Sequence, residues 1–285
     1  MRRRFLSMTK TAMNGNLKRL FSGPFLAFIL CGTLVPLGVI AFYGFTDRSG
    51  AFTLDNIMAI ASRNHAQALG LSLGLALIST AICLLLAFPL GLILKDSKLG
   101  KKGFMVFVFI LPMWMNFLLR TMAWQVLLER NGIINIVLKT LGLPLLDIIN
   151  TPAAVVLGMV YDYLPFMVLP IYNALIKIDN NLIEAAYDLG ADKLLVLRKV
   201  LIPLSVPGIV SGITMVFVPS LTTFAISTML GGGKVNLIGN IIEQEFTVGS
   251  NWNLGAGLSL VMMIFIIISM ALIEKFDREG EASMI

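Results

Sequence analysis

The sequence predicts an all-α, polytopic membrane protein with about six transmembrane helices. Apolar residues make up 57% of the 285-residue chain and charged residues only 13%, against roughly 45–50% and about 25% in soluble domains. The apolar residues gather into six runs separated by short polar connections. None of the runs shows the two-residue alternation of a membrane β-barrel, so each must satisfy its own backbone as a helix.

In chain order the runs cover residues 21–46, 68–94, 104–127, 152–176, 203–227 and 254–273. Each meets or exceeds the ~20 residues that a helix needs to cross a hydrocarbon core of ~30 Å. Pro36, Pro89, Pro112, Pro165, Pro170, Pro207 and Pro219 lie within or near these runs; neighbouring helices and water accommodate such breaks in a bilayer. The first run is too long and begins too late for a secretory signal, and no A-x-A pattern follows it, so it is expected to stay as a span. The chain therefore divides into a basic segment (1–20), a transmembrane domain (21–273) and a short tail (274–285).

Orientation follows from the basic residues. Sixteen of the 22 Lys and Arg fall in the N-terminal segment, the loop at 95–103, the loop at 177–202 and the tail, all on one side. Five fall on the other side, and Arg120 lies within a span. The positive-inside rule puts both termini and the 177–202 loop in the cytoplasm. The net charge of +6 is thus a matter of topology, and no nucleic-acid partner is expected.

Catalytic chemistry has little to work with. Cys31 and Cys83 lie in apolar runs, and His65, the only histidine, stands in a polar loop without a ligand array. No metal site or disulfide framework is expected. There is no G-x-x-x-x-G-K-[ST] phosphate loop, and Gly231-Gly232-Gly233-Lys234 reads as a turn. A membrane-embedded enzyme would need a clustered acid, base or nucleophile, which the sequence lacks.

Residues 184–204, EAAYDLGADKLLVLRKVLIPL, break the apolar pattern. Leu182, Ala186 and Leu189 recur at i, i+4 and i+7, which predicts a short helix with one apolar stripe. Gly190 is placed to end that helix in the left-handed conformation. Asp192 can cap a second helix whose last turn holds Arg198 and Lys199, at the favourable end of the dipole, before Pro203 opens the next apolar run. On these features alone, the segment is either an amphipathic loop lying on headgroups or a knob that another protein grips.

Glu184-Ala185-Ala186, three residues, Gly190, nine residues, then Val200-Leu201-Ile202-Pro203 resembles the EAA loop of ABC-importer permeases, usually EAA-x3-G-x9-I-x-LP. Val200 replaces the isoleucine and Ile202 the leucine, both conservatively. YLPFMVLPIYNAL before the loop, and MLGG, LIGN and QEF after it, resemble the spermidine/putrescine branch of that family. The resemblance implies a type I (MetI-like) permease architecture in the cytoplasmic membrane. It implies that Glu184, Ala185, Ala186, Asp188, Gly190, Ala191 and Pro203 form a coupling helix seated on a separate cytoplasmic ATPase. That ATPase, in two copies, would hold the ATP and Mg²⁺, leaving no cofactor in this chain. A second permease subunit and an extracytoplasmic polyamine-binding protein complete the implied assembly. A permease for another small solute, or a stand-alone secondary carrier, shares the same spans; the carrier would not need the loop.

Candidate pathway residues lie inside the spans. Asp162 falls about ten residues beyond Thr151, or ~15 Å into the membrane, where a carboxylate costs at least ~2.5 kcal/mol. Tyr161 and Tyr163 flank it, and Pro165 can open the helix nearby. Two readings stand: Asp162 contacts a cationic substrate with aromatic help, or it pairs internally with Arg120 or a neighbouring subunit. Trp114 and Asn116 either line a polar route or pack between helices. Arg120 and Trp124 are expected near the outer interface, snorkelling and anchoring respectively. The amphipathic segment 237–246 carries Glu243 and Glu245, which either attract cations at the outer mouth or lie solvated, and Trp252 is expected to anchor the last span.

Overall fold

The computed structural model describes the backbone of residues 15–96 and 111–282, and side chains over 23–96 and 111–275. Twelve α-helical elements lie in this range. α1 is Gly15–Gly44. A turn with one antiparallel bridge, Thr46 to Phe52, leads to the short α2, Asp55–Met58. α3 is Arg63–Asp96. After the undescribed stretch come α4, Phe117–Leu128, and α5, Ile133–Thr140. α6 is Pro152–Leu175, α7 is Asn180–Asp188 and α8 is Lys193–Val196. α9, Ile202–Thr222, is followed by α10, Ala225–Gly231, α11, Ile238–Thr247, and α12, Trp252–Ala282.

Five of these stretches are long and apolar enough to span a membrane: Gly23–Gly44, Arg63–Asp96, Pro152–Leu175, Lys193–Thr222 and Trp252–Lys275. The predicted third span, 104–127, lies partly outside the described residues. From Leu111 onward it is not continuous: a 3₁₀ turn, Leu111–Trp114, stops short of Asn116, which caps α4 by accepting from Leu118 N at 2.8 Å. An asparagine oxygen competes well for the free N–H groups at a helix start, so the helix begins anew there. The predicted fifth span also ends early. The chain leaves helical geometry at Thr223, where ψ is 140°, and α10 folds back as a separate element.

α3, α6 and α9 form the core. Cys83 and Ala87 of α3, Met167, Val168 and Ile171 of α6, and Val216 of α9 are buried together. Close approach depends on glycine: a Cβ at Gly208 would stand 2.5 Å from Ala174 Cβ and 2.6 Å from Pro170 O. Without a hydrophobic force between helices in lipid, such small-residue contacts supply much of the packing. α10 lies over the far end of α6, burying Ile226 and Leu230 against Val155 and Met159. α11 is tied down by Ile238 N donating to Ser72 Oγ of α3 at 2.9 Å. α1 stands apart, with Phe25 and Phe28 exposed, and meets α12 near its C-terminal end, where Gly44 packs on Leu260. Asn253 joins the two helices by donating to Thr46 O at 2.7 Å and Tyr43 O at 3.2 Å. Trp252 packs on Tyr43 and Phe246 in the same region.

Candidate functional site

The polar hairpin is built by two caps and a turn. Asp179 starts α7 by accepting from Asn181 N at 3.0 Å. At the other end Gly190, at φ 84°, donates to Tyr187 O at 2.9 Å while Ala191 N donates to Ala186 O at 3.0 Å. This pair of bonds is a Schellman motif, which sets Ala186 and Ala191 facing one another across the turn. Asp192 caps α8 by accepting from Leu195 N at 2.7 Å. The helix, the left-handed glycine and the Asp192 cap follow the sequence expectation.

The second helix differs. It does not end at Arg198 and Lys199 but runs through a wide π-turn, Leu197–Leu201, directly into α9. Pro203 has no N–H to return to the carbonyl of Lys199, and its ring crowds that carbonyl, so the turn widens instead of stopping. Pro203 therefore sits inside a continuous 30-residue helix, Lys193–Thr222.

No residue of α7 is buried. Glu184, Ala185 and Asp188 are exposed, Ala186 and Ala191 half-buried. Of the predicted apolar stripe, Leu182 is half exposed and Leu189 is 89% exposed. The two leucines thus face away from the rest of the protein, while Ala186 between them is half-buried. Glu184 and Tyr187 also border a cleft of about 580 Å³ with Lys95 and Lys193.

Within the spans, Asp162 of α6 meets α4. Arg120 Nη2 lies 3.2 Å from Asp162 Oδ1, and Thr121 Oγ1 donates to Asp162 Oδ2 at 3.0 Å. Arg120 is 6% exposed and Asp162 2%. Arg120 does not snorkel, because a buried carboxylate on the neighbouring helix neutralises it more closely than interfacial water could. Among the described residues, its Nε and Nη1 have no hydrogen-bond partner. Tyr161 lies under the guanidinium at 5.9 Å and against Trp124 at 5.3 Å, so Trp124 packs between helices and is half-buried. Tyr163 faces the opposite way, donating to Pro219 O of α9 at 3.5 Å. Tyr161, Asp162 and Tyr163 are consecutive and diverge around the helix.

The other candidates lie apart. Trp114 is exposed, and Asn116 uses its side-chain oxygen as a cap. Glu243 is half-buried, accepts from Thr247 Oγ1 at 3.3 Å and borders an apolar groove between α11 and α12. Glu245 is also half-buried. No hydrogen bond or ion pair links either glutamate to Asp162 among the described residues. Among the described residues, none of the His, Cys, Asp and Glu side chains cluster as a metal site.

Sequence reading missed two structural centres. Thr121 carried no signal beyond being polar in an apolar run. Asn240 is buried and joined to Ser227 Oγ at 2.5 Å, Leu237 N at 3.0 Å, Phe224 O at 3.1 Å and Thr228 Oγ1 at 2.8 Å. One asparagine therefore fixes α10 against α11. Its lone polar position in LIGNII was the available hint.

Comparison with known proteins places these features. The family model described as binding-protein-dependent transport system inner membrane component matches residues 87–279. The spermidine/putrescine transport system permease protein PotB of Haemophilus influenzae is 33% identical over 281 residues, covering 94% of this chain and 98% of that protein. PotB of Escherichia coli K12 is 38% identical over 215 residues, covering 75% and 78% respectively. The inner membrane ABC transporter permease YdcU of the same organism is 30% identical over 276 residues, covering 90% and 88%. In fold, the chain superposes on a bacterial ABC transporter importing alginate with a TM-score of 0.80 at 15% identity, covering 96% of this chain and 99% of the other. A chain of the methionine transporter MetNI superposes at 0.52 with 20% identity, covering 76% and 94%.

Proposed function

From its membership of the binding-protein-dependent transport system inner membrane component family, we propose that this chain is the permease subunit of an ATP-driven importer that carries polyamines such as spermidine or putrescine. The cargo rests on relatives whose names specify spermidine and putrescine and whose likeness extends over most of both chains. The observation that carries the mechanism is the hairpin. A helix with no buried residue, exposing Leu182, Tyr187 and Leu189 beside a small-residue turn, has the makings of a docking peg.

On this reading α7 and its turn face the cytosol and seat in a separate ATPase, present in two copies and holding the ATP and Mg²⁺. A second permease subunit supplies the other wall of the pathway, and an extracytoplasmic protein delivers the cargo. Both termini are cytoplasmic. Glu243 and Glu245 draw cations to the outer mouth. Asp162, committed to Arg120 and Thr121, acts as a clamp between α4 and α6.

Competition among polyamines for radiolabelled uptake, in vesicles holding the full complex, tests the cargo. Spermidine or putrescine should displace the label at low concentration and anionic solutes should not. Cross-linking from a cysteine at Ala186 in native membranes tests the peg. Failure to capture an ATPase would refute the docking.

A further inference from the structure

A groove of about 530 Å³ runs between α11 and α12 and is bordered by the C-terminal end of α9. Its polarity changes along its length. Phe246 of α11 lies against Gly255 and Trp252, which sets Glu243 and Thr247 beside the first turns of α12. Ser259 of α12 and Thr222 of α9 complete the polar lining. Farther along α12 the wall is Met263, Ile266 and Ile267, reaching ~12 Å beyond Ser259 at 1.5 Å per residue.

Every polar group in the groove offers an acceptor. Thr222 Oγ1 donates to Val218 O at 3.1 Å, Thr247 Oγ1 to Glu243 O at 2.8 Å and Ser259 Oγ to Gly255 O at 2.8 Å. A hydroxyl has one hydrogen, so the 3.3 Å approach of Thr247 Oγ1 to the Glu243 carboxylate is the weaker claim on it. What these side chains still offer is one carboxylate and the lone pairs of three hydroxyl oxygens. No Lys, Arg or His lines the groove, and Glu243 makes no ion pair among the described residues. A half-buried carboxylate against apolar walls calls for a cationic hydrogen-bond donor.

The occupant must also match the apolar wall. A polyamine carries ammonium groups along its whole length, and beyond Ser259 they would meet only methionine and isoleucine. A hydrocarbon chain suits that wall. Met263 and Ile267 are exposed, and Ile264 and Ile268 continue the exposed apolar face along the same span. We propose that the groove seats a phospholipid whose head carries a primary ammonium, phosphatidylethanolamine being the simplest. The ammonium donates to Glu243 and the hydroxyl oxygens, while one chain lies along Met263, Ile266 and Ile267 and pins α11 to α12. A choline head has no N–H to donate, and a glycerol head leaves the lipid with a net negative charge beside Glu243. The site rests on the orientation given under the proposed function, which places the head in the outer leaflet. Glu245, outside the groove, stays available to cations in solution.

The test counts lipid bound to the full transporter by native mass spectrometry, after titration with dioleoyl phosphatidylethanolamine, phosphatidylcholine or phosphatidylglycerol. One phosphatidylethanolamine per copy of this chain should bind at concentrations roughly tenfold or more below those needed for the other two. Glu243→Gln should erase that preference and Glu245→Gln should keep it. Ile267→Trp, which retains the carboxylate but fills the apolar end, should weaken the same lipid. Excess spermidine should not displace it. Equal affinity for the three lipids, equal effects of the two glutamate variants, or displacement by spermidine would overturn the seat. So would an Ile267→Cys protein that cross-links to the second permease and never to a photoreactive phosphatidylethanolamine. A wild type that imports polyamine but shows no lipid preference loses the seat and keeps the transport reading. The expected preference in a complex that imports no polyamine supports the seat and removes the cargo.

Discussion

Asp162→Asn removes the charge that neutralises a buried guanidinium while keeping nearly the same side-chain shape. At the observed 3.2 Å, the attraction is ~5 kcal/mol for an effective dielectric constant of about 20. Desolvation of both groups offsets much of this, so the net worth of the pair is small. Breaking it is different, because Arg120 then stays buried without a counter-charge, and such losses run to about 3–5 kcal/mol. Asn keeps one acceptor for Thr121, so the Thr121 hydrogen bond adds little to the loss. The double variant Arg120→Met/Asp162→Leu removes both charges and fills similar volume, and it should recover most of the stability. The assay is heat-induced loss of the monodisperse purified complex, with uptake measured alongside. Asp162→Asn should melt well below the wild type and the double variant close to it. If all three melt together, the pair contributes no stability and the argument from buried charge fails. If the double variant is stable yet needs at least tenfold more cargo for half-maximal uptake, Asp162 belongs to the pathway instead of the clamp.

Three further outcomes follow from named contacts. Gly190→Ala, at φ 84°, should cost about 1–2 kcal/mol of local stability, while Gly190→Asp should lower uptake per ATP hydrolysed at normal abundance. Asn240→Ala deletes four hydrogen bonds in a buried site; leaving Leu237 N–H without its partner should destabilise the protein by at least ~2 kcal/mol, read as faster proteolysis between α10 and α11. Leu189→Ser should weaken capture of the ATPase in a pull-down without shifting the melting temperature, because the side chain is 89% exposed.

The spans were legible because lipid imposes length and polarity on a continuous run: α6 begins and ends within one residue of the expected 152–176. The hairpin was legible for a more local reason. Gly190 and Asp192 act on their immediate neighbours, and local hydrogen bonds need no knowledge of the tertiary fold. Breaks inside spans were harder to foresee. Asn116 is a single polar residue and Thr223 the second of a threonine pair, each in apolar context, and hydropathy averages over them. Asp162 was recognisable as a cost needing compensation, but its partner was settled by packing of α4 on α6, some 40 positions apart in sequence.

On the proposed function, the continuity of α8 with α9 bears directly on how ATPase closure reaches the pathway. A hairpin joined to a span by a flexible loop would dissipate displacement in that loop. Here the second arm of the hairpin is the first turn of a 30-residue helix, and a helix transmits axial and tilting motion with little internal give. Gly208 of that helix lies against Pro170 and Ala174 of α6 at contact distances that leave no room for a side chain. A tilt of α9 must therefore carry α6 with it or break the contact. The backbone ladder is loosened at the π-turn, Leu197–Leu201, and again where Pro207 and Pro219 lack an N–H, so bending should concentrate at these places. The close contact of α9 with α6 makes Gly208→Leu the discriminating change. The added side chain should separate α6 from α9 and abolish uptake, while the hairpin, lying beyond the π-turn, should still bind the ATPase.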